Sequence, residues 1–136
     1  DGRKMSKSYG NTIAISDSPD EIRKKINLMI TDPQRIKKND PGHPNICNIF
    51  AYHKIYSADE LSEIRDNCEQ AKTGCVECKK SLADKLIDSL KNVYKKRKEL
   101  LDNPSIIDNI LSEGQIKASK IARETIKSVK QEMGMY

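Results

Sequence analysis

The 136-residue sequence contains no tryptophan, a single phenylalanine and only 4% aromatic residues. A core built of stacked rings is therefore excluded, and Ile, Leu, Val and Ala must fill the interior. No apolar run approaches the roughly 18 to 20 residues that a membrane helix needs, so no membrane partner is expected. Internal repeats and low-complexity tracts are absent, which argues against a solenoid or a disordered tail. Alternating strand patterning is also missing, apart from residues 12–15, which read as a short extended remnant. Charged residues make up 33% of the chain. The expected fold class is all-α, a helical bundle of one modest domain's size. Lysine and arginine number 25 against 20 acidic residues, giving a formal charge of +5 and a pI near 9.0. That mild basic excess suits contact with nucleic acid.

Helix signals then appear in order along the chain. Ser18-Pro19-Asp20-Glu21 combines a serine N-cap, a first-turn proline and a glutamate placed to close a capping box, opening a helix to about residue 30. Prolines, Gly42 and two Asp-Pro pairs make the following stretch, TDPQRIKKNDPGHPN, an irregular linker. Ile46, Ile49, Phe50 and His53 have helical spacing and predict a short second helix. Ser57-Ala58-Asp59-Glu60 repeats the capping pattern and predicts a third, to about residue 71. Beyond the break at Gly74, Leu82, Leu86, Leu90, Val93 and Leu100 predict one helix over residues 75–101, the longest of the set. Asn103-Pro104 restarts the chain, Gly114 is expected to end that helix, and a last amphipathic helix covers residues 115–132.

Two clusters of polar chemistry stand out. The first is the opening string DGRKMSKSYGNT. Lys4, Ser6, Lys7 and Ser8 set two ammonium groups and two hydroxyls on a segment that Gly2 and Gly10 keep pliable, an arrangement suited to gripping a polyphosphate. Positive charge placed where negative charge grows in a transition state is effective catalysis of phosphoryl or nucleotidyl transfer. The plain alternative for two such lysines is a solvated surface.

The second cluster is the cysteines. Cys47, Cys68, Cys75 and Cys78 are all the cysteines in the chain, separated by 20, 6 and 2 residues. Four thiolates converging on one centre can bind zinc tetrahedrally or hold an iron–sulfur cluster. One C-x-x-C knuckle with two single ligands suits a cluster at least as well as zinc. The predicted helix start at Cys75 would set backbone N–H groups and a positive dipole end beside the thiolates. The plain alternative is ordinary buried cysteine in the core.

KMSKS at Lys4, Met5, Ser6, Lys7 and Ser8, followed by Gly10-Asn11, resembles the second signature of class I aminoacyl-tRNA synthetases, a loop whose lysines hold the phosphates of Mg-bound ATP. The resemblance implies that Lys7 acts chiefly on the pyrophosphate leaving group with Lys4 assisting. The companion HIGH-type signature and the α/β Rossmann-type nucleotide fold that precede this loop in the family are not present in these residues. The expectation is therefore a C-terminal part of a longer enzyme, inactive alone, with residues 1–17 ending a catalytic domain and 18–136 forming a helical anticodon-binding region. ITDPQR, NDPGHPNIC, FAYHKIY, GCVECKKSLAD and ARETIKSVKQEMG are similar to bacterial tryptophanyl members. A subset of these carries a 4Fe-4S cluster close to where the anticodon is read, and Cys47, Cys68, Cys75 and Cys78 match that subset in order and approximate spacing. The implied cofactors are ATP and a 4Fe-4S cluster, with zinc as the alternative. The implied partners are tryptophan and tRNA(Trp), in a cytoplasmic, homodimeric parent enzyme.

Residues for RNA contact follow from helical geometry. Lys117, Lys120, Arg123, Lys127 and Lys130 share one side of the last helix, opposite Ala118, Ile121, Ala122, Val129 and Met133. Lys79 and Lys80 sit beside the cysteine knuckle. Lys79, Lys80, Arg123 and Lys127 are the candidate RNA contacts, whereas the basic run over residues 91–98 reads as solvent-facing. Lysines give sequence-blind phosphate contacts, while bases are read by edges and stacking, for which Tyr52, Tyr56 and Tyr94 are available. Phe50 reads as core, and His43 and His53 read as structural. The rival from another class is a stand-alone, metal-stabilised helical module that binds nucleic acid or senses redox state.

Overall fold

The computed structural model describes residues 4–135. Gly2, expected to loosen the opening loop, lies outside the described residues. Among the described residues six α-helices are interspersed with three short 3-10 turns: α1 (Pro19–Leu28), α2 (Asn48–Tyr56), α3 (Leu61–Glu69), α4 (Cys75–Ser89), α5 (Lys91–Asp102) and α6 (Pro104–Glu132), with the turns at Lys7–Tyr9, Pro44–Ile46 and Ala58–Glu60. No strand occurs among the described residues, so the all-α reading holds. The chain divides into two compact units between Tyr94 and Lys95.

The first unit is organised by α4, which packs against both α1 and α2. Ile22 and Ile26, one turn apart on α1, face Ile49 of α2 and Leu82, Ala83 and Leu86 of α4, all buried. The i, i+4 spacing on α1 and α4 supplies the apolar stripes that make this possible. Phe50 is buried beside them, with the Arg65 guanidinium 4.8 Å from its ring centre. Such a cation over an aromatic face adds attraction to simple burial. At the rim, Arg23 of α1 meets Asp84 of α4 at 2.5 Å.

Element starts follow their local chemistry closely. Ser18 caps α1 through a complete capping box with Glu21, and Pro19 occupies the first turn. Gly74 opens α4, its N–H donating to the Glu77 carboxylate at 3.1 Å.

Three expectations need correction. The helix foreseen over residues 75–101 is two helices that break at Leu90, whose N–H turns back to the Ile87 carbonyl at 3.2 Å. At the same place the Ser89 hydroxyl donates to the Leu86 carbonyl at 2.7 Å, so a side chain competes for the helix's own acceptor. Gly114 does not end a helix, and α6 runs through it for 29 residues, the longest of the set. A mid-helix glycine costs only about 1 kcal/mol, which the flanking turns outweigh. Ser57 caps nothing; its hydroxyl pairs with His53, and a 3-10 turn intervenes before α3 begins at Leu61.

The second unit consists of the rest of α5 and α6. Residues with large exposed apolar side chains, among them Leu111, Ile116 and Ile121, recur along α6.

Candidate functional site

The lysine loop is ordered by its own polar atoms. The Ser6 N–H donates to the Asn11 side chain at 2.9 Å, and the Ser6 and Ser8 hydroxyls are 2.8 Å apart. Gly10, at φ 63°, adopts the left-handed conformation that closes the Lys7–Tyr9 turn, and its N–H returns to the Lys7 carbonyl. Only glycine adopts that conformation without strain. Met5 is tied to the helical core by the Tyr52 hydroxyl, 3.5 Å from its sulfur. Lys4 and Lys7 are exposed, so the loop holds its backbone in place while leaving both ammonium groups in solvent.

The four cysteines come from three places in the chain. Cys47 precedes α2, Cys68 lies in the last turn of α3, Cys75 begins α4, and Cys78 is one turn further on. All four line one cavity of about 530 Å³, together with Arg35 and His53. The chain must reverse tightly between Cys68 and Cys75. Ala71 makes the reversal at φ 57°, a conformation that costs a residue with a Cβ roughly 1–2 kcal/mol. The linker closes the other side: the Gly42 N–H donates to the Cys68 carbonyl at 3.0 Å. A Cβ at Gly42 would stand 2.4 Å from the Cys68 sulfur, so glycine is required there by close approach.

Asp32 anchors that linker. Its buried carboxylate accepts the backbone N–H groups of Gln34 and His43, and the His43 imidazole lies 2.9 Å away. Burial alone raises its pKa, but those hydrogen bonds outweigh it and the net displacement is downward.

Electrostatics across the cavity are those of crowded thiols opposed by one guanidinium. Burial, reinforced by the other three sulfurs, pushes the Cys78 thiol up to about 12, and Arg35 opposes the shift. Burial likewise raises Cys68. Arg35 lies between: one terminal nitrogen donates to the Thr73 carbonyl at 3.0 Å and stands 3.9 Å from the Cys75 sulfur, and the other donates to the Lys38 carbonyl at 2.6 Å. Its Nε is buried without a partner. His53 is fully buried, with Nδ1 2.9 Å from the Ser57 hydroxyl and Nε2 3.3 Å from the Cys78 carbonyl. Desolvation lowers its pKa, favouring the neutral ring. Among the described residues, no group of three or more His, Cys, Asp or Glu side chains is drawn together tightly enough to hold one metal ion.

The candidate RNA contacts separate. The half-buried Lys79 donates to the Asn27 carbonyl at the end of α1 at 2.8 Å, whereas Lys80 is exposed. Arg123 and Lys127 are exposed on α6, in the second unit. Tyr94 donates its hydroxyl to the Asp17 carbonyl at 2.9 Å, which makes it a tie rather than a free platform. Sequence reasoning passed over Arg35 and Asp32. Their only signal was position, in a proline-rich linker ahead of the first cysteine.

The family model for class I tRNA synthetases (W and Y) matches residues 1–91, two thirds of the chain. The chain belongs to this family. Among relatives of the tRNA synthetases, the tryptophan–tRNA ligase of Aquifex aeolicus is 42% identical over 99% of this chain and 35% of its own length. The corresponding ligase of Thermotoga maritima is 36% identical over 99% of this chain and 42% of its own length. The crystal structure of tryptophanyl-tRNA synthetase from Campylobacter jejuni, complexed with ADP and tryptophan, superposes with a TM-score of 0.88 at 34% identity. It is matched over 99% of this chain and 42% of that one. The chain thus spans between about a third and two fifths of the length of the curated relatives it matches. No helix among the described residues is long and apolar enough to cross a membrane.

Proposed function

We propose that this chain serves a tryptophan–tRNA ligase, which activates tryptophan with Mg-bound ATP and transfers it to tRNA(Trp). The observation that carries this is the KMSKS loop, Lys4 to Ser8, within a chain matched along 99% of its length by ligases of that specificity. In this reading residues 1–17 complete the catalytic domain and 18–136 form the anticodon-binding region. Lys7 neutralises the departing pyrophosphate and Lys4 assists, each as a point charge on a flexible stem. Ser6 and Ser8, hydrogen-bonded to each other, hold the loop's shape, and Met5 anchors it to Tyr52. Lys80, Arg123 and Lys127 give phosphate contacts to tRNA. Lys79, next to Lys80 in the chain, belongs to the same proposed set, although its ammonium is engaged by the Asn27 carbonyl. The enzyme works as a cytoplasmic homodimer.

The thiol cavity is assigned a 4Fe-4S cluster held by Cys47, Cys68, Cys75 and Cys78, with a zinc ion as the second reading. Two observations support the cluster. The four thiols line one cavity. An unpartnered buried Arg35 N–H and a guanidinium beside Cys75 stand ready to compensate a centre that carries net negative charge. A cluster bound there supplies rigid cross-links among the linker, α3 and α4 and a fixed surface for anticodon reading. Arg35, Asp32 and Gly42 shape its seat.

The test is tryptophan-dependent exchange between pyrophosphate and ATP, measured on the ligase containing this chain. Lys7→Ala is expected to reduce exchange about 10²–10³-fold with tRNA affinity nearly unchanged. Equal losses in both would overturn the assignment. Iron, zinc and acid-labile sulfide measured on protein purified without air decide the metal.

A further inference from the structure

We infer that His53 and Ser57 form a hydrogen-bond relay that donates to the sulfur of Cys78 and sets the electron density of a cluster bound in the cavity; this rests on the cluster reading above. The geometry is direct. His53 Nε2 lies 3.4 Å from the Cys78 Sγ and 3.3 Å from the Cys78 carbonyl oxygen. A carbonyl can only accept, so Nε2 carries the hydrogen, and a cysteine thiolate beside it is a second acceptor. In the neutral ring Nδ1 is then the acceptor, and the Ser57 hydroxyl, 2.9 Å away, donates to it.

The tautomer is therefore imposed from behind, as in the outer ligands of metal sites generally. His53 is 0% exposed and Ser57 5%, so no water can take over either role. Ser57 is held beside the ring by its own backbone, whose N–H donates to the His53 carbonyl at 2.9 Å.

The relay resolves two features that the sequence leaves unexplained. Ser57 stands in a helix-capping pattern yet caps nothing. His53 is a fully buried polar side chain on a helix that otherwise buries Ile49 and Phe50. Neither residue is a ligand, since four thiols already supply the full set. Hydrogen bonds to ligand sulfurs raise a cluster's reduction potential, because they stabilise the more negative, reduced form.

The experiment is a redox titration of protein purified without air, in which dithionite supplies one electron per cluster, followed by visible absorbance and electron paramagnetic resonance. His53→Phe removes the donor and keeps a ring of similar size; His53→Gln restores an N–H near the Nε2 position; Ser57→Ala releases the tautomer. His53→Phe is expected to make reduction about tenfold less favourable, a fall of about 59 mV for one electron. His53→Gln should recover most of that, and Ser57→Ala should move in the same direction by less. Full iron loading with an unmoved potential in His53→Phe overturns the relay. If His53→Phe fails to fold, an unmoved potential in Ser57→Ala does so instead. Wild-type protein loaded with zinc, or with neither iron nor sulfide, overturns the cluster reading itself and the relay with it.

Discussion

Raising pH should loosen the metal-free protein through one buried thiol. Burial and three neighbouring sulfurs move the Cys78 pKa from an ordinary 9.0 up to about 12. An unfolded chain releases this proton near pH 9 while the folded chain keeps it. The folded state therefore binds more protons across that window. The stabilisation is complete below the unfolded value and is lost as pH climbs toward the folded one. One proton corresponds to about 1.4 kcal/mol per pH unit, so Cys78 alone should remove about 1.4 kcal/mol between roughly pH 8 and pH 10, and about 2.7 kcal/mol by about pH 11. Tyr52 and Tyr94, whose pKa values burial also raises, add their own losses at the upper end. Urea unfolding of metal-free wild type and of Cys78→Ala, across that range, isolates the thiol. The tyrosine contribution is common to both, so the difference in slope belongs to Cys78. Identical slopes would refute the placement of Cys78 in a desolvated cavity crowded by thiols. A metal-loaded protein should lose this dependence, because loading has already displaced the proton.

Gly42→Ala should cost about 1–3 kcal/mol and lower metal loading, because the new Cβ meets the Cys68 sulfur at 2.4 Å. Thermal melting and iron content check this, and normal values for both would show that the linker does not approach Cys68 so closely. Gly114→Ala should raise helical stability by about 0.5–1 kcal/mol, since α6 is continuous there and nothing stands within 4 Å of the added carbon. Thermal melting followed by circular dichroism reads the change, and a loss of stability would restore the helix break at this position.

Much of the fold was legible because its signals are local. Ser18, Pro19 and Glu21 are a complete capping instruction within four residues, and α1 begins there. The grouping of the cysteines was legible from their close spacing, and all four line one cavity, although among the described residues no three of them are gathered tightly enough to hold one metal ion. What failed depended on competition that a one-dimensional pattern does not display. The apolar spacing of residues 75–101 runs through the break at Leu90, yet Ser89 diverts the Leu86 carbonyl and Lys91 pairs with Asp88 across the break. Gly114 reads as a stop only if the chain must enter the left-handed region, and nothing in α6 requires it to. Ser57 has the residue type of a cap, but a buried imidazole nearby is a stronger claimant on its hydroxyl than an exposed helix end. The partner of Lys79 was likewise hidden from the sequence, since only the fold reveals the Asn27 carbonyl within its reach.

The position of α2 explains why so short a helix resists a simple amphipathic reading. Its nine residues have three different environments to satisfy. Ile49 lies in the apolar core, His53 turns toward Cys78, and Tyr52 reaches Met5 of the lysine loop. Tyr52 and His53 are adjacent in sequence, about 100° apart around the helix, so one rigid element holds the lysine loop on one side and the thiol cavity on the next. A helix with a single buried stripe could not do both. The absence of a clean polar face on FAYHKIY is the expected consequence, and it follows that substitutions on α2 should disturb loop and cavity separately according to which face they alter.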